Sequence, residues 1–341
     1  MSREVRFLYL TQEQVIECGG LDMAQTVKAV EDVFRLLQAG QCIEPQAPII
    51  HWNGIHGRRI SMHPAYIGGD VQVTGIKWIP SNPDNPIKRK MPRASALIIL
   101  NDPETGFPLA VMDGTVISAM RTGAVVGVGA KYLAQPEASV VGLIGAGVIN
   151  RTQLMALHVA LKQIQQVKLF DFVPEKAHAF AAEMSERLEV EIQVVDSARA
   201  AVQEADVIAP ATNVGPDDRY IQAEWLKAGA YLANLSVNDY TVEAVLACNK
   251  IIVDNKKQLE VPDTILTDMV EQGLVNPENI VELGAVISGE QPGRTTDGER
   301  IFFSPLGMGI EDLINAHRIY QEARRRGLGQ ELELWHEPFW T

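Results

Sequence analysis

Apolar residues along the chain recur with two different periods, and the change of period marks its parts. Val5–Leu10 reads as a short strand leading into a turn that Thr11 is placed to cap, with Gln14 three residues on. Val27, Val30, Phe34 and Leu37 then form a helical stripe, most simply core packing. From Ile43 to Thr122 the pattern becomes short β-like runs: APIIHW, RRISMHP, VTGIKWI, SALIIL and PLAVMD. Pro and Gly clusters such as SNPDNP and DPETGFP separate them, which predicts a mostly β region rather than repeated βαβ units. Val116–Ala134 reads as a long helix rich in small residues, with Arg121-Thr122 in its first turns. Beyond it, strands and helices alternate: strand 140–144, a helix, a strand ending at Asp171, helix Glu175–Leu188, strand Glu191–Val195, helix Ala198–Glu204 and strand Asp206–Ala211. Further strands are predicted at Leu226–Ser236 and Lys250–Val253, then a helix at Leu266–Gln272. Such alternation predicts a doubly wound parallel sheet. A C-terminal amphipathic helix carries Ile310, Leu313, Ile314 and Ile319, with His317 as a packed residue. The Trp335–Trp340 tail can dock on the first domain or on a second subunit.

The stretch from Val140 to Asp171, VVGLIGAGVIN to VKLFD, has the order needed to hold a dinucleotide. Gly145 permits the tight turn, Ala146 lies between, and Gly147 lets backbone approach a pyrophosphate. Val148 and Ile149 open the next helix, whose N–H groups and dipole favour that anion. Asp171 ends the second strand, where a carboxylate accepts the hydroxyls of an adenosine ribose, so NAD is expected over NADP. Asn150 stands in place of the third glycine. Ligands of such sheets bind beyond the carboxyl strand ends, which here also carry Thr212-Asn213 and Ser236-Val237-Asn238-Asp239. By itself Asp239 would be a turn residue or helix cap; its place at a strand end favours a functional role.

Composition narrows the partners. A net charge of −13 over 341 residues argues against nucleic acid or an anionic membrane surface. No apolar signal core opens the chain and no run approaches a membrane span. Cys18, Cys42 and Cys248 are scattered, which points to a reducing compartment and no metal or disulfide framework; a cytoplasmic protein is expected. Against this acidic background Lys77, Lys88, Arg89, Lys90 and Arg93 cluster beside a single acid, Asp84. The 88–90 run reads as a solvated loop. Lys77, inside the strand-like GIKWI, is either an edge residue reaching water or an inward-facing ligand.

The stretches GIKWI, ILNDPETGFPLAVMDGTVISAMRTGAV, GLIGAGV, NLSVND and SPLGMGIEDL make the chain resemble the ornithine cyclodeaminase/μ-crystallin family over nearly its full length. The resemblance implies an α/β fold with a Rossmann NAD-binding domain (residues 121–305). That domain lies between parts of a β-rich α+β substrate and dimerisation domain (1–120 with 306–341), in a homodimer. It implies that Lys77 and Arg121 hold a substrate carboxylate, that Arg121 and Thr122 lie near the cofactor phosphates, and that Asp239 is the acid/base. Gly307 completes the expected cofactor set. GIKWIPSNPDNPIKRKMPRAS and the Pro of SPLGMGIED are most similar to members that oxidise N-(2-amino-2-carboxyethyl)-L-glutamate to L-2,3-diaminopropionate and 2-oxoglutarate. Two positions depart from the family pattern: Ala47 where many members have Arg or Lys, and Ser61 where cyclising members have Glu. Arg59 and Arg93 are added instead, and arginines suit a small amino acid with several carboxylates. The expected chemistry is hydride loss from a carbon bearing an amine, then imine hydrolysis, with Lys77, Arg59, Arg93 and Arg121 orienting carboxylates and Asp239 taking a proton. The alternatives are an ornithine or lysine cyclodeaminase, a ketimine (pyrroline-2-carboxylate) reductase, or a non-catalytic NAD(P)H-binding protein.

Overall fold

The structure is a computed structural model describing residues 4–52 and 57–340. The first three residues of the N-terminal stretch and the last residue of the first predicted domain lie outside the described residues. The chain divides into two compact units, residues 1–121 with 308–341 and residues 122–307. The division falls within one helix, Thr115–Leu133.

The first unit is built on strands β1 (Val5–Leu10), β2 (Cys42–Ile43), β3 (Ile49–His51), β4 (Arg59–Ile67), β5 (Val73–Ser81), β6 (Leu97–Asn101), β7 (Pro108–Asp113) and, late in the chain, β16 (Gln330–Trp335). Among the described residues they form an eight-stranded sheet in the order β16-β1-β7-β6-β5-β4-β2, with β3 also on β4. Only β1 and β7 run parallel among these described pairs. β4 and β5 pair along their whole length, which sets His63 directly opposite Lys77. Side chains alternate across a strand, so Lys77 shares the face of fully buried Val73. Helix Gly309–Arg326 packs on β4, β5 and β6 and against helix Met23–Gln38. Thr11 and Gln14 cap reciprocally: the Thr11 hydroxyl accepts from Gln14 N–H and Gln14 Oε1 accepts from Thr11 N–H at 3.1 Å. Val27, Val30 and Phe34 are buried as the stripe predicts, while Leu37 is half-buried. Of the Trp335–Trp340 tail, Trp335 ends β16 on β1 and meets Phe107 edge-on at 5.8 Å, while Phe339 and Trp340 are exposed.

The second unit carries β8 (Val140–Ile144), β9 (Gln166–Phe170), β10 (Glu191–Val194), β11 (Val207–Pro210), β12 (Tyr231–Ala233), β13 (Lys250–Val253), β14 (Val281–Glu282) and β15 (Ile301–Ser304). Among the described residues all pair in parallel, in the order β10-β9-β8-β11-β12-β15-β13-β14. The chain winds outward from β8 through β9 to β10, then returns to β11 on the other side of β8. That reversal is the switch point at which such sheets leave a crevice. The predicted Rossmann fold is therefore present. Two predicted elements are shorter than their apolar runs. The strand expected at Leu226–Ser236 is only Tyr231–Ala233, because Gly229 (φ +79°) turns the chain before it and Val237 (φ 67°) turns it after. The helix expected to reach Glu204 stops at Val202, because Gln203 is already extended and Glu204 is left-handed (φ 63°).

The small residues of helix Thr115–Leu133 have a packing reason. A Cβ on Gly127 would sit 2.8 Å from both the Cβ and the carbonyl oxygen of Ala156, in helix Val148–Ala160. One on Gly123 would collide with the Thr152 backbone. These two helices thus meet backbone to backbone. Gly127→Leu is expected to overpack this contact and destabilise the protein by about 1–3 kcal/mol or more, seen as a lower Tm by circular dichroism with NAD absent.

Candidate active site

In the first unit two of the four predicted cations, Lys77 and Arg121, collect around two acids from the C-terminal helix. Lys77 Nζ pairs with Asp312 at 2.7 Å and donates to the Ser118 hydroxyl at 3.3 Å. Arg121 donates through Nη1 to Glu311 at 2.7 Å and through Nε to Asp312 at 3.1 Å. Lys77 is 1% exposed, Arg121 6%, and both acids 0%. Lys77 is therefore an inward-facing residue, and the edge alternative is excluded. Burial, reinforced by the Arg121 charge, brings the Lys77 ammonium down to about 8 despite Asp312. Burial opposes the Arg121 charge too, but Asp312 and Glu311 outweigh it and push its pKa up. Burial also resists ionisation of Asp312, yet Arg121 and Lys77 hold it below the ordinary carboxylate range.

His63 lies within the field of Lys77, Asp312, Arg121 and Arg59. Burial and Lys77 lower its pKa to about 3, so it is a neutral imidazole at physiological pH. Arg59 is exposed at the start of β4, and partial desolvation together with the neighbouring Arg93 charge lowers its pKa. The two arginines are thus brought together as like charges, and Arg59 makes no ion pair among the described residues. Ser61 is buried on β4 opposite Ile49 and Ile79, and Ala47 is half-buried. Lys88, Arg89 and Lys90 are exposed as expected, but the segment is a helical turn, Asn85–Arg89, that Lys90 ends in a left-handed conformation, rather than a loop.

In the second unit the glycine turn is closed by the residue that replaces the third glycine. Asn150, fully buried, donates through Nδ2 to the carbonyls of Ile144 (2.8 Å) and Gly145 (2.5 Å). Gly145 has φ +97°, a conformation that favours glycine. A Cβ on Gly147 would find open space, and Val148 is 60% exposed, with Ile149 half-buried behind it. Among the described residues no side chain caps the helix that Gly147 opens. Asp171 Oδ2 accepts from Ala146 N–H at 2.7 Å and Oδ1 from Val173 N–H at 2.8 Å, which ties the second strand end to the turn. An uncapped helix N-terminus behind an unobstructed glycine, with a carboxylate at the next strand end, fits a dinucleotide.

Asp239 is fully buried. Its Oδ1 accepts from the hydroxyls of Thr212 and Tyr220 (3.0 Å for Tyr220), and its Oδ2 from Ser236. Burial raises its pKa, and the three hydroxyls named oppose that rise. Asn238 is turned elsewhere, accepting from Arg219 at 2.9 Å and donating to the Asp263 carbonyl at 2.7 Å. Val237 adopts φ 67°, a left-handed conformation rare for a β-branched residue. Gly307 (φ +92°) donates its N–H to Asp254 at 2.6 Å, as Leu306 does at 2.8 Å. Thr122 is half-buried, one residue past Arg121 in the same helix, and Asn213 is exposed beyond β11.

Residues 8–327 match the model of the ornithine cyclodeaminase/mu-crystallin family. The chain belongs to that family. It is 35% identical to the N-((2S)-2-amino-2-carboxyethyl)-L-glutamate dehydrogenase of Staphylococcus aureus, over 98% of this chain and 100% of that protein. Its fold matches the Thermococcus litoralis Δ1-pyrroline-2-carboxylate reductase in complex with NADH and L-proline, with TM-score 0.88 and 33% identity over 95% of this chain and 99% of that one. It also matches an archaeal alanine dehydrogenase dimer with bound NAD, with TM-score 0.87 and 32% identity over 97% and 100% of the two chains. The family member is accordingly an NAD-dependent oxidoreductase acting on amino-acid C–N bonds. Among the described residues no helix is long and apolar enough to cross a membrane.

Sequence reasoning did not single out Glu311, Asp312, His63, Ser118 or Tyr220. The adjacent acids were within reach: two carboxylates beside Ile310, Leu313 and Ile314 on one short apolar stretch need buried cations. Nothing in the sequence marks Tyr220. Asp312→Ala is expected to leave Lys77 and Arg121 under-compensated and to cost about 3–5 kcal/mol, measured by urea unfolding; Asp312→Asn should recover part of it.

Proposed function

We propose that this enzyme oxidises N-(2-amino-2-carboxyethyl)-L-glutamate to L-2,3-diaminopropionate and 2-oxoglutarate. The observation carrying this reading is the set of cations in the first unit: Arg59 and Arg93 in addition to Lys77 and Arg121, with neutral Ser61 beside them. One carboxylate would need only the Lys77–Arg121 pair. The added arginines suit a substrate with further carboxylates. The full-length likeness to the Staphylococcus aureus dehydrogenase supports the same reading.

Gly145, Ala146, Gly147, Val148, Ile149 and Asp171 would hold NAD, with Thr122, Thr212, Asn213, Ser236, Val237, Asn238 and Gly307 completing its surroundings. When bound, NAD accepts a hydride from the carbon that bears the secondary amine. Lys77 and Arg121 orient the neighbouring carboxylate, and Arg59 and Arg93 hold a distal one, which is mainly an entropic contribution. Asp239 receives the amine proton, because a protonated nitrogen opposes loss of hydride. Water then adds to the imine and the C–N bond breaks. The first unit is proposed to carry the substrate side and dimer formation, in keeping with the archaeal dimer. Reduction of a small imino acid is the second reading, favoured by the likeness to the Thermococcus litoralis reductase.

Purified protein with NAD and N-(2-amino-2-carboxyethyl)-L-glutamate should raise absorbance at the NADH band and yield both products. Arg93→Ala should reduce kcat/KM at least tenfold while NADH affinity holds. Loss of ornithine or lysine without net NADH would instead establish a cyclodeaminase, and binding with no turnover a carrier. Asp171 should make NAD(H) bind more tightly than NADP(H) by several-fold to hundreds-fold, about 1–3 kcal/mol; fluorescence titration of both cofactors checks this.

The pH dependence follows from Lys77. Its folded pKa of about 8 lies below the usual lysine value, so the ammonium is complete only below that pH and is lost as pH rises through it. The KM for the carboxylate substrate should therefore increase above about pH 8. His63, with its pKa near 3, should contribute no step between pH 5 and 8. Initial rates across pH 5 to 10 test both statements.

A further inference from the structure

Asp239 is fully buried, and in the second unit its two oxygens are already occupied by hydroxyl donors. A carboxylate so enclosed does not meet a substrate amine directly. A proton reaches it only through one of the groups that donate to it. Ser236 is committed elsewhere: it accepts the Thr212 N–H at 3.3 Å and lies 3.5 Å from the Pro210 carbonyl. Tyr220 packs its ring against the apolar core of this unit, and burial together with the Asp239 charge pushes its pKa up, so it stays a phenol. Thr212 lies two residues past the carboxyl end of β11, is half-buried, and is succeeded by exposed Asn213. Its hydroxyl donates to Asp239 Oδ1 beside the Tyr220 hydroxyl, with which it also interacts, and a threonine oxygen can accept from a further donor.

We propose that the Thr212 hydroxyl is a proton relay between the substrate amine and Asp239. The inference rests on the reading of Asp239 as the proton acceptor. In the step, an N–H bond of the substrate ammonium breaks and that proton bonds to Thr212 Oγ1. Thr212's own proton passes to Asp239 Oδ1. The amine becomes neutral, the carboxylate becomes a carboxylic acid, threonine is unchanged, and no electrons move between groups. The acid then donates to Thr212 Oγ1, whose own proton passes to solvent water after product leaves, and the carboxylate is restored. Tyr220 and Ser236 are positioning residues, holding the carboxylate oxygens in place while the proton passes.

The test compares Thr212→Val, Thr212→Ser, Tyr220→Phe and Asp239→Asn as folded full-length proteins. Each is assayed on the substrate that wild type turns over among N-(2-amino-2-carboxyethyl)-L-glutamate, L-alanine and L-proline. Thr212→Val preserves shape without the hydroxyl and should lower kcat roughly a hundredfold, a far larger loss than any weakening of NADH binding at this cofactor-lining position. Thr212→Ser should retain most of the activity, and Tyr220→Phe should lose less than Thr212→Val. The wild-type rate in mixed H₂O and D₂O should fall along a curve, as expected for more than one proton in flight. In Thr212→Val the curvature should vanish, and adding that change to Asp239→Asn should cost nothing further. If Thr212→Val turns over normally while Asp239→Asn does not, the relay is wrong and the Asp239 reading stands. If Tyr220→Phe is the variant that fails, the route through Thr212 is likewise overturned. If Asp239→Asn is itself active, both statements fail together.

Discussion

The interaction on which the first unit depends is the buried set Lys77, Arg121, Glu311 and Asp312. Each charge alone would be prohibitive in that interior, because removing an ion from water costs several kcal/mol even after relaxation. Together they neutralise one another through contacts of 2.7–3.1 Å. The set ties together three elements far apart in the chain: strand β5, helix Thr115–Leu133 and helix Gly309–Arg326. Its registry follows from the β4–β5 pairing, since a one-residue slip would turn Lys77 to the opposite face of the sheet. Burial, and then the permanent charge of Arg121, outweigh Asp312 and lower the lysine's pKa to about 8.

Much of the second unit was legible in the sequence because its signals are local. An apolar run, a glycine turn, a helical stretch and a terminal acid lie within Val140–Asp171, and the structure keeps that order. Asp171 was readable as a strand-end carboxylate. Its backbone ties to Ala146 and Val173 were not, since they depend on how two strand ends approach each other. The short span of β12 was obscured by apolar residues that are buried without belonging to a strand, such as Leu226 and Ala230. Lys77 could not be resolved by pattern alone, because strand alternation gives two faces and does not say which is inside. Glu311 and Asp312 sit on the apolar stretch of their helix, which marks them as buried acids; which cations face them depends on tertiary packing.

Asn150 illustrates how a motif can be kept in function after losing a residue. A third glycine ordinarily allows helix and strand to pack closely. Here an amide fills that position and bonds the carbonyls of Ile144 and Gly145, so the turn is held by hydrogen bonds. Gln153 in turn donates to Asn150 Oδ1 at 2.6 Å, fixing which way the amide points. The glycine that remains indispensable is Gly145, whose positive φ no ordinary side chain shares cheaply.

The cap on helix Gly309–Arg326 bears on how the protein is made. Glu44 accepts the N–H groups of Gly309 at 2.9 Å and Ile310 at 3.0 Å, and β16 pairs with β1, so residues separated by most of the chain complete one unit. Residues 122–307 form a continuous segment and can fold as soon as they leave the ribosome. The earlier strands must wait for the last 34 residues, Met308–Thr341, before the Lys77 ammonium meets its counterions. During synthesis the N-terminal sheet therefore spends a long interval with an uncovered apolar face, and that interval is where chaperones would find this protein most dependent on them.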